Sequence, residues 1–125
     1  VEYLRAGSLA AEDNDAVPPT VQTVIEGRLA ALSDRALELL RVLGVADQTT
    51  AWEVVLAATM LGEGEATDAI DELWRRGLVV ERGAAGYQVA HGLVAEVIRG
   101  RLTEARRRLL HAQLAEALAG WSCAA

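Results

Sequence analysis

One stretch, residues 65–91, limits the fold of this chain more than any other, because it combines a helical period, a helix stop and two short β-like runs. Its sequence is EATDAIDELWRRGLVVERGAAGYQVAH. Apolar residues recur at a spacing of three and four positions, which predicts the buried face of a helix. They are Ala66, Ala69, Ile70, Leu73 and Trp74. Gly77 follows two arginines, so the helix should stop near Arg76.

A β-hairpin is predicted directly after this helix. The run at 78–80 is rich in β-branched residues, residues 83–86 supply a glycine-containing turn, and an alternating YQV segment returns. A preceding helix is predicted over about 51–61, with Trp52 and Met60 expected in the core. A short turn that contains two glycines joins it to the helix in residues 65–76. The predicted fold is mostly α: a winged helix-turn-helix, that is, a helical bundle with one small β-hairpin wing.

Four further helices complete the expected bundle. One starts near Thr20 after two prolines, and the next is capped by Ser33 and reaches about residue 44. Another begins at or just after His91, and the last runs from Thr103 to about residue 119. The side chains expected on the inner faces of these helices, or at the edge of that face in the first, include Val21, Val24, Ile25, Arg28, Leu29, Leu32, Leu37, Leu40, Val42, Leu43, Leu93, Val94, Val97, Ile98, Leu102, Leu109, Leu110, Gln113, Leu114, Ala117 and Leu118.

The chain divides into three parts on this interpretation. Residues 1–17 form a helical tail and an acidic linker, residues 18–102 the winged-helix domain, and residues 103–125 a C-terminal helix. The chain begins without Met, which suggests that it is a piece of a larger protein. Its single cysteine, Cys123, allows no internal disulfide, and no apolar run is long enough for a membrane span. A cytoplasmic setting without membrane contact is therefore expected.

Charge argues against nucleic acid as a partner. The net charge is −6, and residues 1–64 hold four arginines against ten acids, while residues 65–125 hold eight against eight. Such acidity opposes binding to phosphates, which depends on neutralising cations and on the release of counterions.

The outward side of the helix in residues 65–76 gives the same indication. Its candidate interaction residues are Asp68, Asp71, Glu72 and Arg75. Asp71 and Arg75, like Glu72 and Arg76, stand four positions apart in the favourable order, so both arginines are expected to be paired. Direct DNA contact is not expected, although a DNA-binding winged-helix regulator remains the alternative function.

Catalytic and metal-binding motifs are absent from the sequence. It contains no nucleophile elbow, no GxxxxGK[ST] phosphate loop, and no CxxC or HExxH pair. No catalytic residue and no metal ligand is predicted, so the chain by itself is not expected to be an enzyme. The arginine triplet at 106–108 is interpreted as a solvated helix face, and His111 as a residue of the helix surface or of interhelix packing.

Four fragments together resemble a known family. In order they are PPTVQTVIEGRLAALSDRALELLRVLGV, AIDELWRRGLV, YQVAHGLVAEVI and RRRLLHAQLAEAL, covering about residues 17–119. They resemble the winged-helix segment of bacterial multidomain signal-transduction ATPases, notably the large ATP-binding LuxR-type transcriptional regulators. The resemblance implies a non-catalytic module that transmits nucleotide or effector state. Its implied partners are the ATPase core and a helical-repeat sensor of the same protein, toward which residues 103–125 lead.

The resemblance also singles out His91. In related switch ATPases a Met-His-Asp motif at the end of the wing contacts bound ADP, and VAHGLV occupies that place here. His91 matches the histidine, while Ala90 and Gly92 replace the other two residues, so the carboxylate is missing. The resemblance implies an ADP phosphate contact in a full-length ATP-binding protein, with no cofactor held by this chain alone. The alternative is a half-buried histidine that caps its own helix.

Overall fold

The computed structural model describes residues 19–124, and the side chains of residues 20–121. The expected tail and acidic linker at 1–17 lie outside the described residues. The prediction of a mostly helical chain with one small antiparallel hairpin is confirmed. The elements are α1 (Pro19–Ala30), α2 (Asp34–Ala46), α3 (Trp52–Ala58), α4 (Glu63–Arg75), β1 (Val79–Glu81), β2 (Tyr87–Val89), α5 (Gly92–Gly100) and α6 (Glu104–Ala124).

Helix α2 is the central element, and it extends past its predicted end at Gly44. This glycine lies within the helix where α5 crosses closely, since a Cβ built on it would be 2.9 Å from Cγ2 of Ile98. The helix ends instead at Asp47, which has a left-handed backbone (φ 56°) and donates its amide to the carbonyl oxygen of Leu43 at 3.1 Å. Asp tolerates this conformation better than most residues.

Two apolar cores lie on opposite sides of α2. The larger core joins α2 to α1, α4, α5 and the hairpin, with Leu39, Leu40 and Leu43 at its centre. The smaller core joins α2 and α3 to α6. Its buried residues are Val42, Val45, Val54, Ala58, Leu110, Leu114 and Ala117. Helix α6 therefore packs on the same body as the rest, rather than only leading away from it.

Helix α4 ends as predicted and turns the chain sharply into β1. Gly77 has a φ of 73°, and its amide donates to the carbonyl oxygen of Trp74 at 3.0 Å. The amide of Leu78 donates to the carbonyl oxygen of Leu73, also at 3.0 Å. This pair of bonds, with glycine in the left-handed position and both leucines buried, is the Schellman helix end.

The hairpin is fastened to the connection between α2 and α3. Strands β1 and β2 pair antiparallel, and a 3₁₀ turn at Gly83–Ala85 joins them. Tyr87 also pairs with Thr50, through backbone bonds of 2.8 and 2.9 Å. Gly86 has a φ of 121°, and a Cβ built on it would lie 2.0 Å from the carbonyl oxygen of Thr50. Only glycine allows the two backbones to come this close.

Several apolar residues predicted to be buried lie on the surface instead. Met60, Trp74 and Val24 are 78%, 60% and 59% exposed. Met60 is outside α3, which ends at Ala58, and Trp74 lies about 100° around α4 from the buried Leu73. The other exposed residues of this kind are Val21, Leu93, Leu109 and Leu118. In each of their helices the buried stripe is narrower than the apolar stripe of the sequence.

Candidate interaction surface

The outward side of α4 meets the hairpin at a shallow hollow of about 210 Å³. We call it the α4–hairpin surface, and it is lined by Ile70, Asp71, Trp74, Glu81 and Tyr87. The hydroxyl of Tyr87 donates a 2.8 Å hydrogen bond to Oε2 of Glu81. This surface thus places an exposed indole beside two carboxylates, with no cation among the residues that line it.

The Tyr87 side chain is held firmly in this surface. Its ring meets the ring of Trp52 edge to face, with centroids 5.5 Å apart and an angle of 67° between the planes. Burial raises the pKa of Tyr87, and so do its hydrogen bond to Glu81 and the nearby charges of Glu81 and Asp71. The phenol therefore remains protonated and donates to Glu81 at neutral pH.

The four candidate residues of α4 have different environments. Asp68, Asp71 and Arg75 are exposed as predicted, whereas Glu72 is partly buried. Of the two expected pairs, Glu72 and Arg76 approach to 4.0 Å. Within the described part of the chain, Asp71 and Arg75 form no ion pair at that distance, so the prediction that both arginines are paired was wrong for Arg75.

Glu72 is engaged inside the domain. Its Oε2 accepts the backbone N–H of Ser33 at 3.0 Å, and its Oε1 accepts the Ser33 hydroxyl at 2.8 Å. The backbone hydrogen bond is the main reason why the pKa of Glu72 is lowered, followed by the hydroxyl bond and by the charges of Arg76 and Arg75. No local pattern predicts this contact between residues 39 positions apart. It makes Glu72 a link between α4 and the start of α2 more than a free contact residue.

His91 occupies the N-cap position of α5 and is exposed. Its backbone is extended, its carbonyl oxygen accepts the amides of Val94 and Ala95, and its imidazole makes no capping hydrogen bond. The alternative of a half-buried capping side chain was therefore wrong. A Cβ built on Gly92 would meet no atom within 4 Å, so position 92 has room for a side chain.

The arginine triplet does not form a basic stripe. Arg107 and Arg108 lie 3.5 and 3.2 Å from the carboxylate of Glu104, and Arg107 also donates to the carbonyl oxygen of Arg99. His111 is an exposed residue of α6, beside a hollow of about 380 Å³ that reaches the connection between α2 and α3.

Among the described side chains, no group of three or more His, Cys, Asp or Glu residues is arranged to hold a metal ion. The described helices include none with the length and apolar character required to cross a bilayer. Comparison of the chain with models of protein families, with curated proteins and with solved structures finds no match. Function is therefore inferred from the surfaces and contacts described above.

Proposed function

We propose that this chain is a non-catalytic interaction module with a winged helix-turn-helix fold, which works inside a larger ATP-dependent bacterial regulator of transcription. The observation that carries the proposal is Trp74, an indole 60% exposed in the hollow that Asp71 and Glu81 also line. Tryptophan is the residue type most enriched among the anchors of protein interfaces, and its acidic neighbours select a basic partner surface.

The order of elements supports the winged-helix part of the proposal. Helices α3 and α4 are joined by a short turn, and the hairpin follows α4 directly. The pairing of Tyr87 with Thr50 adds a third extended segment beside the hairpin and fastens it to the body of the domain. A hairpin fixed in this way next to a helix-turn-helix is what a wing requires.

Helix α4 disfavours DNA as the partner. In a helix-turn-helix reader the second helix, here α4, lies in the major groove near phosphates. Helix α4 contains five acids and one arginine, and the nearby Arg82 already donates to Gln88 at 3.3 Å. Bringing this face to a duplex would set carboxylates against phosphates, with few cations to release counterions. A protein surface is the better match.

The proposed partners are the ATPase core and the helical-repeat sensor of the same protein. An interaction module transmits nucleotide or effector state only if its contacts differ between two conformations of the whole protein. We infer that the α4–hairpin surface docks on the core in a closed state and is released in an open one. The exposed Trp74 suits such a reversible contact. Because its side chain is not part of the domain's own core, release of the partner leaves that core unchanged.

His91 is the proposed contact to the phosphate of ADP in the full-length protein. Its exposed imidazole belongs to the N-cap residue of α5, and the backbone N–H groups of a first helical turn also favour an anion. The residues present fit one phosphate contact. Glycine at position 92 supplies no carboxylate, so the proposal assigns the contact to the imidazole and the backbone.

A binding experiment tests the docking proposal. The chain is mixed with the separately produced nucleotide-binding core of the parent protein, and the affinity is measured by calorimetry. Trp74→Ala should weaken binding by about tenfold or more. Val24→Ala, which removes an equally exposed apolar side chain from α1, is the matched control and should leave the affinity unchanged. Equal affinity for Trp74→Ala and the wild type would refute docking through this surface.

Two further measurements separate the alternatives. A mobility-shift assay on mixed duplex DNA should show no complex at micromolar protein; a complex that weakens steeply with salt would support the DNA-reading function instead. In the full-length protein, His91→Ala should speed the release of ADP, whereas His111→Ala, a histidine on α6, should not. Unchanged release from His91→Ala would remove the phosphate contact.

A further inference from the structure

A long groove follows α6, away from the α4–hairpin surface, with α3 as its other wall at one end and α2 at the other. It consists of two adjoining hollows of about 570 and 480 Å³, both lined by Met60 and Gln113. Met60, Leu109 and Trp121 line it and are 78%, 46% and 48% exposed. We call it the α3–α6 groove. Such a set of large apolar side chains in one continuous depression is typical of a surface that another molecule covers.

The α6 side of the groove is a regular stripe. Arg106, Leu109, Gln113, Glu116 and Gly120 line it at alternating steps of three and four residues, so they follow one another along a single helix face. Gln113 is the midpoint of this stripe, seven positions from Arg106 and seven from Gly120. A helix stripe with such a centre can face a copy of itself in the antiparallel direction.

The charges at the edges of the groove are separated by sign. Arg41 and Arg106 line one hollow, while Glu53 and Glu116 line the other. None of these four side chains forms an ion pair or a side-chain hydrogen bond with another residue in the described part of the chain. A further acid, Glu38, also lines the arginine end, where it accepts the backbone N–H of Met60 at 3.2 Å, so that end has two arginines and one acid and remains net positive.

We propose that the α3–α6 groove is the contact surface between two copies of this chain, with their α6 helices antiparallel about a two-fold axis at Gln113. This axis brings the arginine end of each copy to the glutamate end of the other, so the charges are matched twice. It also sets Leu109 of one copy against the small residues Ala117 and Gly120 of the other, which allows the helices to approach.

A second copy fits the groove better than a partner of one charge. A basic segment would match Glu53 and Glu116 but would meet Arg41 and Arg106 at the other end, and an acidic segment would do the reverse. The groove shares no residue with the α4–hairpin surface, so pairing leaves Trp74 accessible. The inference is independent of the proposed function.

Sedimentation equilibrium on the 125-residue chain tests the pairing. The mass should rise toward twice that of the single chain as the concentration increases through the micromolar range. Arg106→Glu and Glu116→Arg should each weaken the dimer by about tenfold or more, because each places like charges against one another at both ends. Arg101→Glu, at an exposed arginine just after α5, is the control and should not change the affinity.

Mixing the two charge-reversed variants gives the sharper result. Arg106→Glu carries acids at both ends of the groove, and Glu116→Arg carries arginines at both ends. Each should be mostly monomeric alone, yet an equal mixture should form a heterodimer with nearly wild-type affinity. Both positions are exposed, so circular dichroism and melting temperature should stay as in the wild type.

A cross-link tests the position of the axis. In a Cys123→Ser background, Gln113→Cys should form a disulfide-linked dimer on mild oxidation, since a residue on a two-fold axis lies next to its own copy. Ala115→Cys, which lines the hollow beside Thr50, should not. A chain that stays monomeric, a dimer insensitive to both charge reversals, or a mixture that fails to associate would each overturn the proposal.

Discussion

The hydroxyl of Ser33 donates a 2.8 Å hydrogen bond to Oε1 of Glu72, and the Ser33 amide donates a 3.0 Å bond to Oε2 of the same carboxylate. The hydroxyl oxygen also accepts the amide of Ala36 at 3.2 Å, which caps α2. One serine thus starts a helix and joins it to another helix distant in sequence. Helices α2 and α4 both belong to the larger core, so this contact adds a polar link between two helices that already pack together.

Replacement of this serine should be costly for a surface residue. Ser33→Ala removes the cap and leaves Glu72 without its hydroxyl donor, so the free energy of unfolding should fall by about 1–2 kcal/mol. Urea unfolding followed by circular dichroism measures it. Thr103→Ala removes a similar cap, in which Thr103 accepts the amide of Arg106 at 3.1 Å. When each substitution is combined with Glu72→Gln, the changes in the free energy of unfolding should not add for Ser33→Ala and should add for Thr103→Ala. Additive changes in both double variants would contradict the coupling between Ser33 and Glu72.

Acid should weaken the same contact. The Ser33 hydrogen bonds lower the pKa of Glu72 from its ordinary value of 4.5, so the folded state favours the carboxylate. A lowered pKa adds stability that is fully present above that ordinary value and is lost as the pH falls through the folded-state pKa. The stability difference between the wild type and Glu72→Gln should therefore shrink below about pH 4.5. A difference that stays constant across this pH range would be inconsistent with the assigned cause.

Two glycines should respond to alanine in opposite directions. Gly86→Ala forces a Cβ against the carbonyl oxygen of Thr50 and strains a φ of 121°, so it should lower the free energy of unfolding by about 3 kcal/mol or more. Gly64 lies in α4 with no atom within 4 Å of a built Cβ, and alanine there should raise stability by up to about 1 kcal/mol. The melting temperatures of the two variants test this. A shift of the same sign relative to the wild type in both variants would contradict the prediction.

Two tryptophans should also differ. Trp52 packs against the larger core and against Tyr87, so Trp52→Ala should lower the free energy of unfolding by about 2–3 kcal/mol. Trp74→Ala should change it by less than about 0.5 kcal/mol, since the side chain lies largely in solvent. Equilibrium unfolding in urea, read by circular dichroism so that loss of the indole does not affect the signal, gives both values. A large loss for Trp74→Ala would mean that this indole belongs to the core.

Elements with strong local signals were predictable from the sequence. The glycine after two arginines is enough to predict the end of α4. Ser33 followed by an acid is enough to predict the start of α2. The Thr50–Tyr87 pairing had no such signal, because it joins residues far apart in sequence through backbone atoms alone. Helix length is not predictable where a tertiary contact accounts for the glycine: Gly44 has the pattern of a helix stop, yet it lies inside α2 at a point where α5 crosses too closely for a Cβ.

The candidate surfaces were predictable only in part. The helical period placed Asp68 and Asp71 outward, as observed, because direction around a helix follows from spacing. Period alone does not show how wide the buried stripe is, so Trp74 was assigned to the core. The hydrogen bond from Ser33 to Glu72 and the exposure of Met60 both depend on how the helices pack. The spacing of residues in a single sequence does not specify that packing.

The pairing of Thr50 with Tyr87 has a mechanical consequence. It closes a loop that contains α3, α4 and β1, and it ties the hairpin to the segment that leaves α2. The hairpin therefore cannot swing away from the body of the domain unless both backbone hydrogen bonds between Thr50 and Tyr87 break.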